Sequence, residues 1–376
     1  MSNERVWLEH LKDSIPDEGK GYSVSMYTVA LEGWRRGLKL KFINKNRRRS
    51  EIFYSLTYNG KEHVFTVSKG DKVSDKAIEI CRNKHLAKQY LKKAGVPTPE
   101  GELFNKDASE EEIVDYAKKL GFPNVIKPVD GTGGSGVIAN IQNEAEFKKA
   151  LSFVRNDLGK KNIIVEKHFD GRGYRVYVVD NQVIAAFDRI PANVVGDGKK
   201  NIKTLLDEKI KIRNENPALF KRPIKIDKEM YALLEAQGYT LESVPKKGER
   251  VFLKTKNNVS SGGDSIDVTD KLTDEIKDIA VRAVQAIPEL EQCGLDLIVD
   301  EENNTAVILE LNSMPSIRNH LFPNEGKARD IPKAIIDFYF PETKNINYKD
   351  RPLYYFDLKF VFDSFKNGQV KENLCE

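Results

Sequence analysis

Two pairs of apolar, strand-length segments in this sequence are joined by turns too short to hold a helix: GYRVYVVD (173–180) to VIAAFDRI (183–190), and GLDLIVD (294–300) to TAVILELN (305–312). Strands connected this way pair only antiparallel, because a parallel return needs a crossover of a dozen or more residues. Upstream, single helices alternate with single strands: FPNVIK (122–127), NEAEFKKALSFVRNDL (143–158) and NIIVEK (162–167). The pattern is α+β with hairpins and not repeated βαβ, which disfavours Rossmann and P-loop architectures.

Ahead of this region, Tyr27, Ala30, Leu31, Trp34 and Leu38 recur at helical spacing, with Ser25 as N-cap and Gly37 at the end, which predicts a helix over 24–37. EIFYSLTY and EHVFTVS flank Asn59-Gly60, the strongest short hairpin signal. Residues 1–82 therefore read as a small α/β domain. Asn83 is placed to cap the helix KHLAKQYLKKA, which ends at Gly95 and is sealed by Pro97 and Pro99, a plausible domain boundary. Ser109 with Glu112, and Asn143 with Glu146, have capping-box spacing.

A chain of 376 residues exceeds what one core usually supports, so packed subdomains with a cleft between them are expected. It is 40% hydrophobic and 31% charged, which argues against long disordered stretches. A net charge of +4 falls short of a nucleic-acid binder's footprint. The one dense basic run, Lys45 with Arg47, Arg48 and Arg49, reads as a solvated loop or as recognition of an acidic substrate. The opening MSNERVWLEHLKDSIPDEGKG has no apolar h-region, and no apolar run reaches membrane-spanning length, so a cytoplasmic protein without membrane contact is expected. Cys81, Cys293 and Cys375 form no CxxC pair and the five histidines no i, i+4 pair, so any metal should be held by oxygen.

Two constellations carry chemistry. PVDGTGGSGV (128–137) follows a strand ending in Lys127, and its glycines let backbone N–H groups close over phosphate oxygens. It matches neither Walker A nor GxGxxG, because the lysine precedes the glycines; a plain loop is the alternative. In the second, Glu310 and Asn312 point to one face of their strand, and the turn EENN brings Asp296 near Glu310. Two carboxylates and an amide oxygen there suit Mg²⁺ bridging phosphates, against the alternative of solvated strand ends.

The ordered set NKHLAKQYLKKAGVPTP, VIKPVDGTGGSGV, IIVEKHFDGRGYRV, RIPANVVGDGKKNI, NNVSSGGDSIDVTD, GLDLIV and ELNSMPSI resembles the ATP-grasp superfamily over about residues 80–320. More closely it is similar to the ATP-grasp domains of cyanophycin synthetase and of bifunctional glutamate-cysteine ligase/glutathione synthetase. The resemblance implies an α+β ATP-grasp fold, two α/β subdomains clasping ATP, preceded by the small N-terminal domain. Its first subdomain would span 83–165 and its second 166–340, leaving 341–376 as an extension of unassigned role.

It further implies that Lys84 and Lys127 contact the ATP phosphates and that Gly133, Gly134, Ser135 and Gly136 form the lid loop. Glu166 would accept from the adenine amino group, Lys167 would lie beside the ring, and the backbone of His168 and Phe169 would form the hinge. Asp296, Glu310 and Asn312 would hold two Mg²⁺ ions, with Mn²⁺ as a substitute. Arg175, Arg189 and Lys254 match basic positions that serve the phosphoryl group or a substrate carboxylate. Asn258 and the turn Ser260–Gly263 match a segment that approaches phosphate and substrate, while Asp188 and Asp267 read as structural partners. Gly173 stands where relatives carry a ribose-binding acid, leaving Asp170 or backbone for that contact. The expected activity is an ATP-dependent carboxylate–amine ligase working through an acyl phosphate on an amino acid or short peptide, in a monomer or homo-oligomer. Substrate recognition would fall to Tyr22–Tyr27 and Arg47–Arg49. A small-molecule kinase and a nucleotide sensor are the alternatives.

Overall fold

In the computed structural model, which describes residues 5–44, 52–130, 135–346, 356–366 and 372–375, the two long hairpins build the central sheet. Arg172–Val179 and Gln182–Ile190 pair through a turn in which Asp180 and Asn181 both take positive φ (48° and 58°), the conformation that matches right-handed strand twist. Gln292–Asp300 pairs with Thr305–Asn312, and Asp264–Asp267 closes a five-stranded antiparallel sheet at its far edge. Side chains alternate across it. Val176, Val178, Leu295 and Leu297 pack under the helices Asp75–Arg82, Lys84–Lys93 and Asp274–Gln285, which contribute Ile80, Leu91 and Ile276. The helix Asp75–Arg82, counted with residues 1–82 in the sequence, thus shares the core of this sheet. It brings Cys81 against Cys293, both buried free thiols, and burial and this neighbour push the Cys293 thiol up.

A smaller four-stranded antiparallel sheet runs Gly101–Phe104, Ile163–Lys167, Asn124–Pro128, Ile138–Ile141. The helices Glu110–Leu120 and Glu144–Ser152 cover one face through Ile113 and Phe147. Their starts are fixed as the sequence predicts: Ser109 Oγ accepts from Glu112 N (3.1 Å) and Asn143 Oδ1 from Glu146 N (3.0 Å). Between residues 191 and 253 an insertion of two short strands and the helices Ile202–Glu215 and Lys228–Ala236 has its own core around Val194, Leu206, Met230 and Leu253.

In the N-terminal region Lys39–Asn44, Ile52–Tyr58 and Lys61–Thr66 form an antiparallel sheet whose Asn59-Gly60 turn has φ of 48° and 81°. The predicted helix is Val24–Arg35, but Ser25 does not cap it. Ser25 lies buried inside its first turn, where Oγ accepts from Ile317 N (3.1 Å) and meets Ser316 Oγ (3.2 Å), tying this helix to the loop after the strand Thr305–Asn312. One continuous core joins Leu31, Phe42 and Tyr54 to Ile335 and Tyr339 of the helix Ile331–Tyr339 and to Tyr177 and Phe187 of the large sheet. Beyond that helix, Phe356 packs on Tyr27 and Phe42 (ring centroids 5.0 and 5.5 Å), Leu358–Lys366 is helical, and Glu372–Cys375 pairs antiparallel with Lys39–Asn44. No helix among the described residues is long and apolar enough to cross a membrane.

Candidate active site

A cleft open to solvent separates the small sheet from the strand Thr305–Asn312 and the helix Lys84–Lys93. Asn83 caps that helix through Leu86 N (3.1 Å), so Lys84 heads its first turn, and its Nζ lies 3.6 Å from Glu310 Oε2. On the opposite wall Lys127 Nζ lies 2.6 Å from Glu166 Oε2, while Lys88, one helical turn beyond Lys84, reaches Glu166 Oε1 at 2.9 Å. Burial opposes the charge on Glu166, yet two lysines, one on each oxygen, hold its carboxyl below the usual range. Lys88 is also lowered, which for a lysine is toward the neutral form, because burial and the repulsion of Lys127 outweigh its single carboxylate. The two shifts are consistent once Glu166 is seen to have two cations and Lys88 one shared anion.

The strand Thr305–Asn312 enters the cleft through an irregularity. Asp296 faces Glu310 and Leu297 faces Ile308, which leaves Leu309 as an extra residue. Such a bulge re-aims side chains, and both Leu309 (38% exposed) and Glu310 line the cleft. Behind Glu310, Asp296 is bracketed by two guanidinium groups. Arg175 Nη2 donates to Oδ2 (3.1 Å), with Nε 2.5 Å from Oδ1 but off the hydrogen-bond line, and Arg189 Nη2 donates to Oδ1 (2.6 Å). Burial first, then repulsion from Arg175, pulls Arg189 below its ordinary range. Gly294, opposite Asn312, keeps this corner open, since a Cβ there would come within 2.6 Å of Pro315 and 3.2 Å of Arg175 Nη1. Beneath the two arginines His320 packs on Phe187 (ring centroids 4.6 Å), and burial drives its pKa far below the usual value.

Residues 81–233 match the RimK-like ATP-grasp domain family. A bifunctional glutathione synthetase from Pasteurella multocida superimposes with a TM-score of 0.65 at 28% identity, covering 85% of this chain and 45% of that one. This chain carries an ATP-grasp domain. Cyanophycin synthetase of Trichormus variabilis is 32% identical over 90% of the chain and 37% of its own length. The glutathione biosynthesis bifunctional protein of Desulfotalea psychrophila is 34% identical over 77% of the chain and 38% of its own length. The chain thus spans about two fifths of the curated relatives it matches.

The cleft gathers Lys84, Lys127, Glu166 and Glu310, with Asp296, Arg175 and Arg189 adjoining through Glu310. Asn312 stands at the same strand end, its Oδ1 accepting from Met314 N (3.0 Å). At the expected hinge, Lys167 Nζ donates to the carbonyls of Gly121 (2.9 Å) and Phe122 (3.0 Å), and His168 N donates to Pro123 O (3.0 Å). His168 Nε2 lies 3.1 Å from Asp170, and Phe169 is half-buried. Asn258 Oδ1 holds its own turn by accepting from Ser260 N (3.0 Å) and Oγ (2.8 Å). Lys254 is not brought to the Asp296 group; Asp227 and Glu229 hold it in the insertion. Asp188 pairs with Arg172 and Asp267 with Arg329. Of the lid residues, Gly136 (φ 73°) turns against Pro128 and Ser135 is exposed, whereas Gly133 and Gly134 lie outside the described residues, as do Lys45 and Arg47–Arg49. Lys88, Leu309 and His320 escaped the sequence reading, although the i, i+4 spacing from Lys84 placed Lys88 on the right helix face.

Proposed function

We propose that this chain is an ATP-dependent carboxylate–amine ligase acting on an amino acid or short peptide, in the reduced setting of the cytoplasm. The observation that carries the reading is one cleft lined by Lys84 and Lys127 on facing walls, with Glu310 near Lys84 and Glu166 against Lys127, beside an Asp296 shared by two arginines. Two guanidinium groups on one carboxylate leave net positive charge, which suits an anionic phosphoryl group in transfer.

The oxygen-only set Asp296, Glu310 and Asn312 fits Mg²⁺. Among the described residues no three His, Cys, Asp or Glu side chains gather into a metal cage. Mg²⁺ is commonly held by one or two protein carboxylates and completed by substrate phosphates, and Asp296 and Glu310, opposite each other on neighbouring strands, would supply those two. When bound, the ion neutralises phosphate charge.

Lys84 and Lys127 bind and orient the triphosphate of ATP, and the helix start at Lys84 adds backbone donors. A carboxylate oxygen of the acid attacks the γ-phosphorus and ADP leaves, giving an acyl phosphate. Arg175 and Arg189 stabilise the charge on the transferring group. The amine nitrogen then attacks the acyl carbon, loses a proton, and phosphate leaves with the former carboxylate oxygen. Closure of the glycine loop over this intermediate keeps water out. The purine is assigned to the Glu166–Phe169 end, where Leu309 offers an apolar surface. No side-chain nucleophile is needed. A screen of amino-acid pairs for ADP release, with product masses, tests the reading: amide product with equimolar ADP supports it, and ADP formed with a stable phosphate ester contradicts it.

A further inference from the structure

Most buried arginines here are answered by acceptors. Arg36 is paired with Glu32 and Asp337, Arg213 with Asp264, and Arg155 with the carbonyls of Asn105 and Ala108. Arg318, six residues past Asn312, is different. It is 8% exposed, and its Nε and Nη1 are buried with no partner among the described residues. Arg222 Nη2 is in the same condition. Both guanidinium groups face the Tyr22 ring, at 3.9 Å (Arg222) and 5.0 Å (Arg318) from its centroid, and Tyr22 is itself 80% exposed. Burial and the nearby Arg222 push Arg318 down to about 10, so it is still charged near neutral pH. A buried, charged fork with unused donors is unfavourable unless an anion completes it.

The position of this pair links it to the reaction. Tyr22 comes from the N-terminal region, where Gly21 N donates to Pro217 O (2.8 Å); Arg222 comes from the insertion, and Arg318 from the short helix Arg318–Leu321, joined to the insertion by Asn216 Nδ2 donating to Phe322 O (3.0 Å). His320, on that helix, lies beneath Arg175 and Arg189. We infer that Arg222 and Arg318, covered by Tyr22, form a subsite for a non-reacting carboxylate of the amino-acid or peptide substrate. The inference rests on the ligase reading for its substrate and on the unpartnered donors for its chemistry. Planar guanidinium forks match a carboxylate through paired N–H donors, and the exposed ring offers the rest of the substrate an apolar contact.

The test uses the full chain and a productive pair from the ADP-release screen, with each substrate supplied as free acid and as the amide of its non-reacting carboxylate. For one substrate, amidation is expected to raise KM about 10–100-fold, the usual worth of hydrogen bonds to a charged group. Arg318→Gln and Arg222→Gln should each raise KM for that free acid similarly, leave the amide little changed and keep KM for ATP within about twofold. Arg318→Lys should recover part of the loss, and Arg318→Gln should melt no lower than wild type, since it removes an unanswered buried charge. Amides that turn over as well as acids, or unchanged KM in both Gln variants, would overturn the subsite. If no pair releases ADP, the ligase reading fails and the subsite is judged alone by phenylglyoxal labelling of Arg318 and Arg222 mapped by mass spectrometry. Glutarate should slow that labelling, and neither glutaramide nor inorganic phosphate should do so equally. Labelling indifferent to glutarate, or slowed as well by phosphate, would overturn it.

Discussion

Asp296 and Glu310 are direct partners on neighbouring antiparallel strands, yet each answers to different cations: Asp296 to Arg175 and Arg189, Glu310 to Lys84 across the cleft. Removing Glu310 should therefore affect chemistry and not packing. Glu310→Ala is expected to lower turnover by about 10²–10³-fold. Its exposed position keeps the stability change within about 0.5 kcal/mol. Lys127→Ala should match the loss of turnover but cost about 1–3 kcal/mol in stability, because it removes one of the two cations on buried Glu166 and leaves only Lys88, 2.9 Å away. Steady-state ADP release and urea unfolding check both variants; either one folded and near wild-type activity would remove its residue from the site.

Arg189 and Lys254 should separate. Arg189→Gln leaves Asp296 with one guanidinium partner and should lower kcat by about 10²-fold. Lys254 instead braces Asp227, which caps the helix Lys228–Ala236 through Met230 N (3.1 Å). Lys254→Gln should lower the melting temperature and leave kcat within about threefold. Equal losses of kcat in the two variants would return Lys254 to the chemistry.

How far the sequence was legible can be seen residue by residue. The EENN turn fixed the register from Asp300 opposite Thr305 to Leu297 opposite Ile308 and so brought Asp296 near Glu310, but that register unbroken would set Asp296 opposite Leu309. The helix starts at Ser109 and Asn143 followed from capping chemistry. Leu309 did not, since a bulge breaks the strict alternation that a strand pattern assumes. Lys88 was legible as a helix-face residue, but its pairing with Glu166 depends on how two subdomains sit together. Ser25 had cap chemistry and was drawn instead into a contact 292 residues away in sequence. The Arg222–Tyr22–Arg318 group joins three distant segments, and no local pattern announces it.

Glu166 predicts an acid-side stability loss. Its folded pKa is held below the ordinary 4.5, so its contribution is fully present above that value and is lost as pH falls through the lower, folded one. Glu166→Gln removes this term, so the variant should be less stable than wild type at pH 7, with the gap closing below pH 4.5. Urea midpoints measured from pH 7 down through that range check the sign. A gap that stays constant or widens on acidification would contradict the paired-lysine account.

The acyl phosphate is the centre of the proposed chemistry, and the most direct measurement follows its oxygen. With the acid substrate labelled with ¹⁸O in its carboxylate, complete turnover with the amine should deliver one label per amide formed into the released phosphate, alongside ADP. With the acid alone, hydroxylamine should trap a hydroxamate. Label retained wholly in the amide and free acid, or release of AMP and pyrophosphate, would contradict the mechanism even with the ATP-grasp fold in place.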